Sequence, residues 1–443
     1  MKYYCQFHTR KHEKELHYLY IPENIIGKSL EEMDLSIGST TVKVQCIPTS
    51  TNDSNIVLET YDPLLSSLPP MDNVILLKDL KRRILTLGPL VALLIHVNSP
   101  DKLQSHSLKE YFTECQRWFQ RKGGFFFLFP FSSFLKEEPK GMVYQNEEWV
   151  LHSVPDPHVI YNRIHSRKAE KSSEYKKALN GYDMRFVHIF NTSFFTKAEV
   201  YNILKDSPLL LPHLPATNLE MNQLNEMLTD HRDIFIKALQ GSKGRFIIRV
   251  QEREHDYLLH QNSFAESSPL SFTSYSSLEK QIRSWCHPSS FFIQETIPFC
   301  TFEGQQLDFR FLCHINREGR WVIVSSVARV ASHHQFVANV DQGGRMEQPI
   351  KVLQALFPTQ DSRKLLSDMK SLSLASASLL SESLEGHFAE LGIDIGIDNS
   401  GKPWIIEVNS KPSKRTYIET DRIRPSVKAL YDYSTKIWIE KED

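Results

Sequence analysis

Two apolar-rich segments joined by a short turn, close to the C-terminus, constrain the fold of this chain most strongly. They lie in the stretch LGIDIGIDNSGKPWIIEVNSKP at Leu391–Pro412, and the turn is Asn399-Ser400-Gly401, a combination typical of a β-hairpin. Residues two apart on a strand point to the same face of a sheet. We therefore predict a hairpin that carries Asp394 on its first strand and presents Glu407 and Asn409 on one face of its second strand.

The three polar side chains of this hairpin are suited to a metal ion. Carboxylate and amide oxygens are hard ligands, and Mg²⁺ favours a few carboxylates together with substrate phosphates over a closed protein cage. The alternative is an edge hairpin whose acids are solvated. Because Trp404-Ile405-Ile406 lead directly into Glu407, the acids lie among apolar neighbours, and this favours metal binding at Asp394, Glu407 and Asn409.

A second polar feature precedes the hairpin along the chain. Asp233–Val250 reads DIFIKALQGSKGRFIIRV, which predicts a strand that ends at Lys237, a short loop that contains Gly241, Ser242 and Gly244, and a second strand. Backbone N–H groups of such a loop can approach phosphate oxygens closely, and the lysine adds a point charge. The alternative is an ordinary hairpin with a surface lysine.

Charge and composition exclude several classes of protein. The 443 residues include 52 lysines and arginines against 53 acids, a balance that excludes a generic nucleic-acid binder and a polybasic membrane-surface protein. The longest apolar run, Leu85–Val97, is too short to cross a bilayer, and the N-terminal segment has no signal-peptide core. We therefore expect a cytoplasmic protein with no nucleic-acid and no membrane partner. Six cysteines without a Cys-x-x-Cys pair are expected to be reduced core thiols.

The pattern of apolar residues divides the chain into three predicted domains. Residues 1–80 alternate apolar and polar side chains, which is typical of a β-rich domain. Residues 81–185 alternate strand-like and helical segments and predict a small αβ domain. From residue 186 to residue 443 the alternation is denser, and we predict a mixed α+β core there. The basic residues Lys411, Lys414 and Arg415 follow the metal motif directly, and we expect them to contact an acidic substrate.

Taken in order along the chain, these features resemble the ATP-grasp superfamily of enzymes. Its C-terminal metal signature is similar to Asp394 followed by Ile406-Glu407-Val408-Asn409 and Pro412. The resemblance implies an ATP-grasp fold, in which two α+β subdomains, at about 186–290 and 291–443, clasp ATP. It also implies that residues 81–185 form a pre-grasp domain. Such enzymes activate a carboxylate as an acyl phosphate and join it to an amine or a thiol.

The resemblance further implies a role for individual residues. Mg²⁺, or Mn²⁺ in its place, would be held by the three hairpin side chains. The nucleotide would contact Lys197, Lys237, the loop residues Gly241, Ser242 and Gly244, the linker residues Gln294, Glu295 and Ile297, and Asp308. Catalysis would involve Arg310, Arg329 and Lys237, because guanidinium and ammonium groups stabilise anionic oxygens, and Asp308 would orient Arg310.

One residue departs from the superfamily pattern, and the roles of three others have alternatives. In ATP-grasp proteins a proline usually follows the second nucleotide lysine, whereas Ala238 follows Lys237 in this chain. Lys197 opens a predicted helix, where a solvated lysine is equally common. Arg310 and Arg329 are each consistent with a structural ion pair on a strand face.

A closer resemblance is to the spore-coat-associated YheC/YheD family of spore-forming bacilli. The matching phrases are Leu87-Gly88-Pro89-Leu90-Val91, Pro155-Asp156-Pro157, Tyr161-Asn162-Arg163, Phe190-Asn191, Leu214-Pro215-Ala216-Thr217, Asp308-Phe309-Arg310 and the C-terminal hairpin. It implies association with the endospore coat and its proteins, besides a small-molecule or peptide substrate with a carboxylate. Two hypotheses follow: an active ligase, or a catalytically silent nucleotide-binding interaction protein of the spore coat. The complete set of charged site residues favours the ligase.

Overall fold

The computed structural model describes residues 1–50, 54–103, 105–239, 247–261, 269–286, 290–331, 344–414 and 422–442 of the chain. These residues form one closed barrel and three six-stranded sheets. Within this described part, no helix is both long enough and apolar enough to cross a membrane. All six cysteines are buried and free, so they lie in the core as predicted, and their reduced state stays a prediction.

Seven strands at the N-terminus close into a barrel. Their bounds are β1 (Lys2–Lys11), β2 (His17–Pro22), β3 (Glu31–Ile37), β4 (Thr40–Thr49), β5 (Asn55–Thr60), β6 (Met71–Asp79) and β7 (Ile84–Gly88), with the short helices α1 (Glu23–Ile26) and α2 (Pro63–Ser66). The strand order is β1-β5-β2-β4-β3-β7-β6, and β6 pairs with β1 to close the ring. Alternate side chains point inward, so that Met33, Leu35 and Ile37 of β3 are buried.

The second sheet, which we call the β8 sheet, has the order β11-β10-β9-β8-β12-β13. Its strands are β8 (Leu90–Ile95), β9 (Phe125–Pro130), β10 (Lys140–Gln145), β11 (Glu148–Ser153), β12 (Val159–Asn162) and β13 (His188–Phe190). Its helices are α3 (Pro100–Leu103), α4 (Lys109–Lys122), α5 (Phe131–Phe134), α6 (Arg167–Glu170) and α7 (Ser173–Met184). Every residue of β8 and β9 is buried, as expected for parallel strands covered on both faces.

The third sheet, the β15 sheet, is antiparallel with the order β14-β19-β15-β16-β17-β18. Its strands are β14 (Thr217–Asn218), β15 (Asp233–Ala238), β16 (Ile247–Glu252), β17 (Tyr257–Gln261), β18 (Leu270–Phe272) and β19 (Phe291–Glu295). The helices of this region are α8 (Lys197–Lys205), α9 (Leu224–His231) and α10 (Tyr275–Trp285), and single 3₁₀ turns span Leu211–His213 and Met221–Gln223.

The fourth sheet, the β21 sheet, is also antiparallel, with the order β23-β22-β21-β24-β25 and β20 beside β21. Its strands are β20 (Thr301–Phe302), β21 (Gln305–Ile315), β22 (Trp321–Val330), β23 (Arg345–Glu347), β24 (Glu390–Ile397) and β25 (Pro403–Asn409). The last helices are α11 (Pro349–Leu356), α12 (Ser362–Ser383) and α13 (Pro425–Glu442).

The two faces of the β21 sheet differ in polarity. Phe309 and Phe311 of β21 and Ile393 and Ile395 of β24 are buried in one apolar cluster with residues of α12. Because side chains alternate along a strand, the residues between them point to the opposite face. Asp308, Arg310 and Asp394 therefore share the face away from α12, and this polar face is where the site described below lies.

The predicted domain boundaries stay predictions, but the strands can be placed relative to them. The last barrel strand ends at Gly88 and the β8 sheet extends from Leu90 to Phe190. Residues 217–295 and 301–409 carry the β15 and β21 sheets, and β19 of the β15 sheet lies beyond the predicted boundary at about residue 290.

Candidate active site between the β15 and β21 sheets

A cavity of about 560 Å³ lies between the β15 and β21 sheets. Strands β15 and β19 contribute one wall, strands β21 and β25 contribute another, and helix α8 closes one side. A cleft of this size with apolar walls and a few convergent polar groups is typical of a small-molecule site. The predicted site residues on its surface are Lys197, Lys237, Gln294, Ile297, Asp308 and Glu407.

Lys237 lies on β15 beside Gln294 of the neighbouring strand β19. Its Nζ donates a hydrogen bond to Gln294 Oε1 at 2.6 Å, and Gln294 Nε2 donates to Thr217 Oγ1 at 2.9 Å. These two contacts fix the orientation of the amide. Burial and the nearby charge of Lys197 lower the pKa of Lys237 to about 7, although Glu407 opposes the shift. A bound anion would therefore stabilise the charged form of Lys237.

Lys197 is the first residue of α8 and faces Glu407 of β25 across the cavity. The helix begins with a capping box, since Thr196 Oγ1 accepts from the Glu199 N–H at 3.1 Å and Glu199 Oε2 accepts from the Thr196 N–H at 2.6 Å. Lys197 Nζ lies 3.9 Å from Glu407 Oε1. The structure thus brings this lysine to the cavity wall and next to a predicted metal ligand.

The predicted linker residues lie at the end of β19 and just after it, and only some of them reach the cavity. Glu295 Oε1 accepts from the Ala216 N–H at 2.7 Å, and Oε2 lies 3.1 Å from His231 Nδ1, so this carboxylate is used structurally and lies away from the cavity wall. Ile297 lines the cavity, and its N–H has no hydrogen-bonding partner among the described residues. A role for Glu295 in nucleotide binding stays a prediction and concerns its backbone.

Four charged side chains form a cluster on the polar face of the β21 sheet. Arg310 Nη2 donates to Asp394 Oδ2 at 2.7 Å, and Arg310 Nε donates to the other oxygen. Arg329 Nη2 lies 3.0 Å from Asp394 Oδ2 and 2.6 Å from Asp308 Oδ2. The expectation that Asp308 orients Arg310 is wrong, because the antiparallel register sets Asp308 opposite Arg329 and Arg310 opposite Asp394.

Burial and ion pairing shift the acids of this cluster in opposite directions. Burial raises the pKa of Asp308 above the ordinary value of a carboxyl and outweighs the effect of Arg329. At Asp394 burial also raises the pKa, but the two guanidinium groups of Arg310 and Arg329 hold it below the ordinary value of a carboxyl. Asp394 is therefore ionised at neutral pH and already pairs with two guanidinium groups.

The three predicted metal ligands come together on the β24–β25 hairpin. Asp394 is paired with Glu407 in the register, and Gly392 is paired with Asn409, so the three polar side chains share one face. Asn409 Nδ2 lies 3.4 Å from Asp394 Oδ2. Two carboxylates and one amide are a donor set that fits Mg²⁺. Asp394 would have to share its oxygens between the metal ion and Arg310 and Arg329. Within the described ranges, no three His, Cys, Asp or Glu side chains form a cluster that could hold a metal ion.

Gly241, Ser242 and Gly244 lie outside the described residues, and their contact with phosphate stays a prediction.

A buried charge network behind the site is a feature that the sequence reasoning missed. Lys411 and Lys414 follow the hairpin, and their side chains are 1% and 0% exposed. Lys411 pairs with Glu170 and donates to the Ile164 carbonyl at 2.8 Å, and Lys414 pairs with Glu390. The expectation that these two lysines meet an acidic substrate is wrong, because both ammonium groups are neutralised inside the protein. Arg415, the third residue of that prediction, lies outside the described residues.

The same network ties the β8 sheet to the end of the hairpin. Arg163 Nη1 donates to the Pro412 carbonyl at 2.9 Å and lies 4.0 Å from Glu390 Oε1. The Tyr161 hydroxyl donates to the same carboxylate. Asn191 Oδ1 accepts from the Glu390 N–H at 3.2 Å, and its Nδ2 donates to the Ser410 carbonyl. The sequence pointed to this network only through two family-matching phrases, Tyr161-Asn162-Arg163 and Phe190-Asn191.

Comparison with known proteins gives a family for the chain. A family model described as YheC/D like ATP-grasp matches residues 187–437. The endospore coat-associated protein YheD of Bacillus subtilis (strain 168) is 25% identical over 344 residues, which cover 75% of this chain and 74% of YheD. The endospore coat-associated protein YheC of the same organism is 22% identical over 302 residues, which cover 65% of this chain and 79% of YheC.

Solved structures are more distant in sequence. The D-cycloserine synthetase DcsG is 11% identical with a TM-score of 0.46, over 78% of this chain and 99% of that chain. D-alanyl-alanine synthetase A from Vibrio cholerae is 11% identical with a TM-score of 0.44, over 80% of this chain and 99% of that chain. At these TM-scores the likeness carries no functional argument. Because the family match spans more than half of the chain, the protein belongs to the YheC/D-like ATP-grasp family and has its α+β ATP-grasp fold, as predicted.

Proposed function

We propose that this protein is an ATP- and Mg²⁺-dependent ligase of the ATP-grasp type. The observation that carries the proposal is that one cavity brings Lys197, Lys237 and Glu407 together beside the charge cluster of Asp394, Arg310 and Arg329. With Asp308, which pairs with Arg329 in the same cluster, two ammonium groups, two guanidinium groups and three carboxylates meet at one cleft, and this set suits a nucleoside triphosphate and a metal.

The proposed reaction has two steps. A substrate carboxylate oxygen attacks the γ-phosphorus of ATP, the bond from that phosphorus to the β-phosphate oxygen breaks, and ADP and an acyl phosphate form. An amine nitrogen then attacks the acyl carbon, phosphate leaves, and the amine releases a proton to solvent. A thiol could take the place of the amine. Neither step needs a covalent protein nucleophile, so the protein contributes positioning and electrostatic stabilisation.

The residues of the cluster would divide these tasks. Lys237 and Lys197 would contact the phosphates, with the amide of Gln294 holding Lys237 in place. Arg310 and Arg329 would stabilise charge on the transferring phosphoryl group, and Asp308 would position Arg329. Mg²⁺, or Mn²⁺, would be held by Asp394, Glu407 and Asn409 and would neutralise the phosphate oxygens. Asp308 would act by this ion pair rather than by a contact with the nucleotide.

A screen for ADP release tests the proposed function. Purified protein would be incubated with ATP, Mg²⁺ and pairs of candidate carboxylates and amines, including amino acids and peptides. We expect ADP and phosphate to appear in equal amounts, together with a product whose mass equals the two substrates less one water. Release of ADP without such a product would indicate a plain ATPase and would contradict the ligase.

Nucleotide binding should take up a proton at alkaline pH. The pKa of Lys237 is about 7 in the free protein, and bound phosphates raise it because anions favour the charged ammonium. At about pH 8.5 most Lys237 is neutral, so binding takes up as much as about one proton, whereas at about pH 5.5 the lysine is already charged and none is taken up. The affinity therefore falls as the pH rises through 7.

Calorimetry in buffers of different ionisation enthalpy measures this proton uptake. The matched control is Lys237→Arg, which keeps the charge at every pH and retains the titration of the nucleotide itself. We expect the wild-type protein to take up more protons than this variant at alkaline pH. Equal proton uptake by the two proteins would contradict a neutral Lys237 in the free protein.

One observation favours a second candidate, a catalytically silent nucleotide-binding protein. Asp394 is engaged by both Arg310 and Arg329, and a metal ion has to compete for its oxygens. Titration with ATP in the presence and absence of Mg²⁺ separates the candidates. A ligase should bind ATP at least about tenfold more tightly with Mg²⁺, whereas binding that ignores Mg²⁺, with no turnover of any substrate pair, would support the silent protein.

The names of the relatives suggest where the protein acts. YheD and YheC are endospore coat-associated proteins, and we extend to this chain an association with the endospore coat and its proteins. Fractionation of sporulating cells with an antibody against the protein tests this location. Recovery only in the soluble fraction of these cells, and none with the endospore coat, would support a purely cytoplasmic protein instead.

A further inference from the structure

A second cavity lies on the same polar face of the β21 sheet. It has a volume of about 140 Å³ and is lined by residues that include Arg310 and Leu312 of β21 and Ser325 and Val327 of β22. Along β21 and β22 the opposed pairs are Asp308 with Arg329, then Arg310 with Val327, then Leu312 with Ser325. Asp308 lines the larger cavity, so the two cavities lie on either side of the Arg310–Asp394 ion pair.

The spacing brings the second cavity within reach of the proposed reaction. Residues two apart on a strand are about 6.6 Å apart, so a group bound beside Leu312 lies about 7 Å along the strand from Arg310. A small molecule in the second cavity can therefore place one end at the charge cluster. The cavity has the volume that about five water molecules occupy in liquid water. It therefore suits a ligand of about five or six non-hydrogen atoms rather than a folded peptide.

Two helices begin at this cavity. Gln348 and Pro349 stand at the start of α11, and Pro425 and Ser426 begin α13. The first turn of a helix has N–H groups without partners inside the helix and carries a partial positive charge, which favours anions. Arg310 adds a formal positive charge. The described residues accept hydrogen bonds only from its Nε and Nη2, so its Nη1 is available to a ligand.

Ser426 gives independent support for a ligand. Its side chain is buried, the residue being 3% exposed, and its Oγ has no hydrogen-bonding partner among the described residues. A buried hydroxyl without a partner is costly, and this one lies on the cavity wall. A carboxylate oxygen of a bound molecule would satisfy it.

The rim of the cavity carries an opposite charge. Glu347 ends β23 and lines the cavity, and its side chain is 33% exposed and 3.4 Å from Arg345 Nε. A carboxylate here can accept hydrogen bonds from an ammonium group. We propose that the second cavity binds a small α-amino acid, with its carboxylate at Ser426 and the two helix starts and its ammonium group toward Glu347. The proposal rests on the ligase function and names the class of one substrate.

Equilibrium binding in the absence of turnover tests the pocket. The protein, saturated with Mg²⁺ and the non-hydrolysable analogue AMPPNP, is titrated with single amino acids and with propionate, which lacks the ammonium group. We expect at least one small amino acid to bind, and propionate to bind at least about tenfold more weakly. Absence of binding by every amino acid, or equal binding of propionate, would overturn the proposal.

Ser426→Ala tests the same pocket without disturbing the fold. Loss of an unpartnered hydroxyl should leave thermal unfolding unchanged and weaken amino-acid binding at least about tenfold. The matched control is Ser434→Ala on the same helix, whose hydroxyl is also buried and without a partner among the described residues and lies away from the cavity wall. It should change binding less than about twofold.

The two proposals can fail separately. Wild-type affinity in Ser426→Ala, with ADP release retained, would reject the pocket and leave the ligase. Amino-acid binding that Ser426→Ala weakens, in a protein that releases no ADP with any substrate pair, would reject the ligase and leave the pocket.

Discussion

Glu407→Gln should lower ADP release by about 10³-fold and leave the fold intact. The substitution removes one of two carboxylates from the proposed metal site, and metal-ion stabilisation of a phosphoryl group contributes several kcal/mol to catalysis. Glu407 is 35% exposed and its nearest cation, Lys197, lies 3.9 Å away, so the free energy of unfolding should change by less than about 1 kcal/mol. Steady-state ADP release and thermal unfolding measure the two effects.

A second readout belongs to the same substitution. Glu407 raises the pKa of Lys237, so its removal should lower that pKa further and move the proton uptake on nucleotide binding to lower pH. The control is Glu318→Gln in the β21–β22 turn, an exposed acid that should affect neither quantity. ADP release at the wild-type rate in Glu407→Gln would contradict the metal-site assignment.

Glu390→Gln should destabilise the protein by about 3–5 kcal/mol. Glu390 is fully buried, and its carboxylate neutralises Lys414 and lies beside Arg163. Removal of one partner from a buried pair leaves an uncompensated charge, and this accounts for the size of the loss. Urea unfolding followed by tryptophan fluorescence measures the change.

Two further variants test the reason for this loss. The double variant Glu390→Gln with Lys414→Met removes both charges and should recover part of the stability, because well-packed apolar groups can replace a buried pair. Glu440→Gln breaks an exposed pair with Lys436 and should cost less than about 0.5 kcal/mol. A wild-type unfolding curve for Glu390→Gln would show that the network contributes nothing to stability.

The parts of the site that depend on local pattern could be predicted from the sequence. Helix α8 (Lys197–Lys205) begins at Lys197, as predicted, because capping residues and apolar spacing act within a few residues. The hairpin follows from the Asn399-Ser400-Gly401 turn, which Asp398 stabilises by accepting from the Ser400 and Lys402 N–H groups at 2.9 and 3.0 Å. Once the hairpin forms, the period of the strands places Glu407 and Asn409 on one face.

The parts that depend on distant pairing could not be predicted. The partner of Asp308 is set by the register of β21 against β22, and a shift of two residues would pair it differently. Lys411 has the sequence context of a surface lysine, and its burial follows from Glu170, which lies far away in the chain. Ser426 gave no signal, because an unpartnered hydroxyl can be recognised only when its surroundings are known.

The buried lysines after the hairpin limit how the protein can be divided. A shortened chain that begins at residue 186 would keep Lys411 but lose Glu170 and the Ile164 carbonyl, its two hydrogen-bond acceptors. The ammonium group would then lie beside an exposed cleft where the β8 sheet had been. We therefore expect that residues 186–443 do not fold on their own, and that insertions, fusions or exchanges between relatives should not separate them from the β8 sheet.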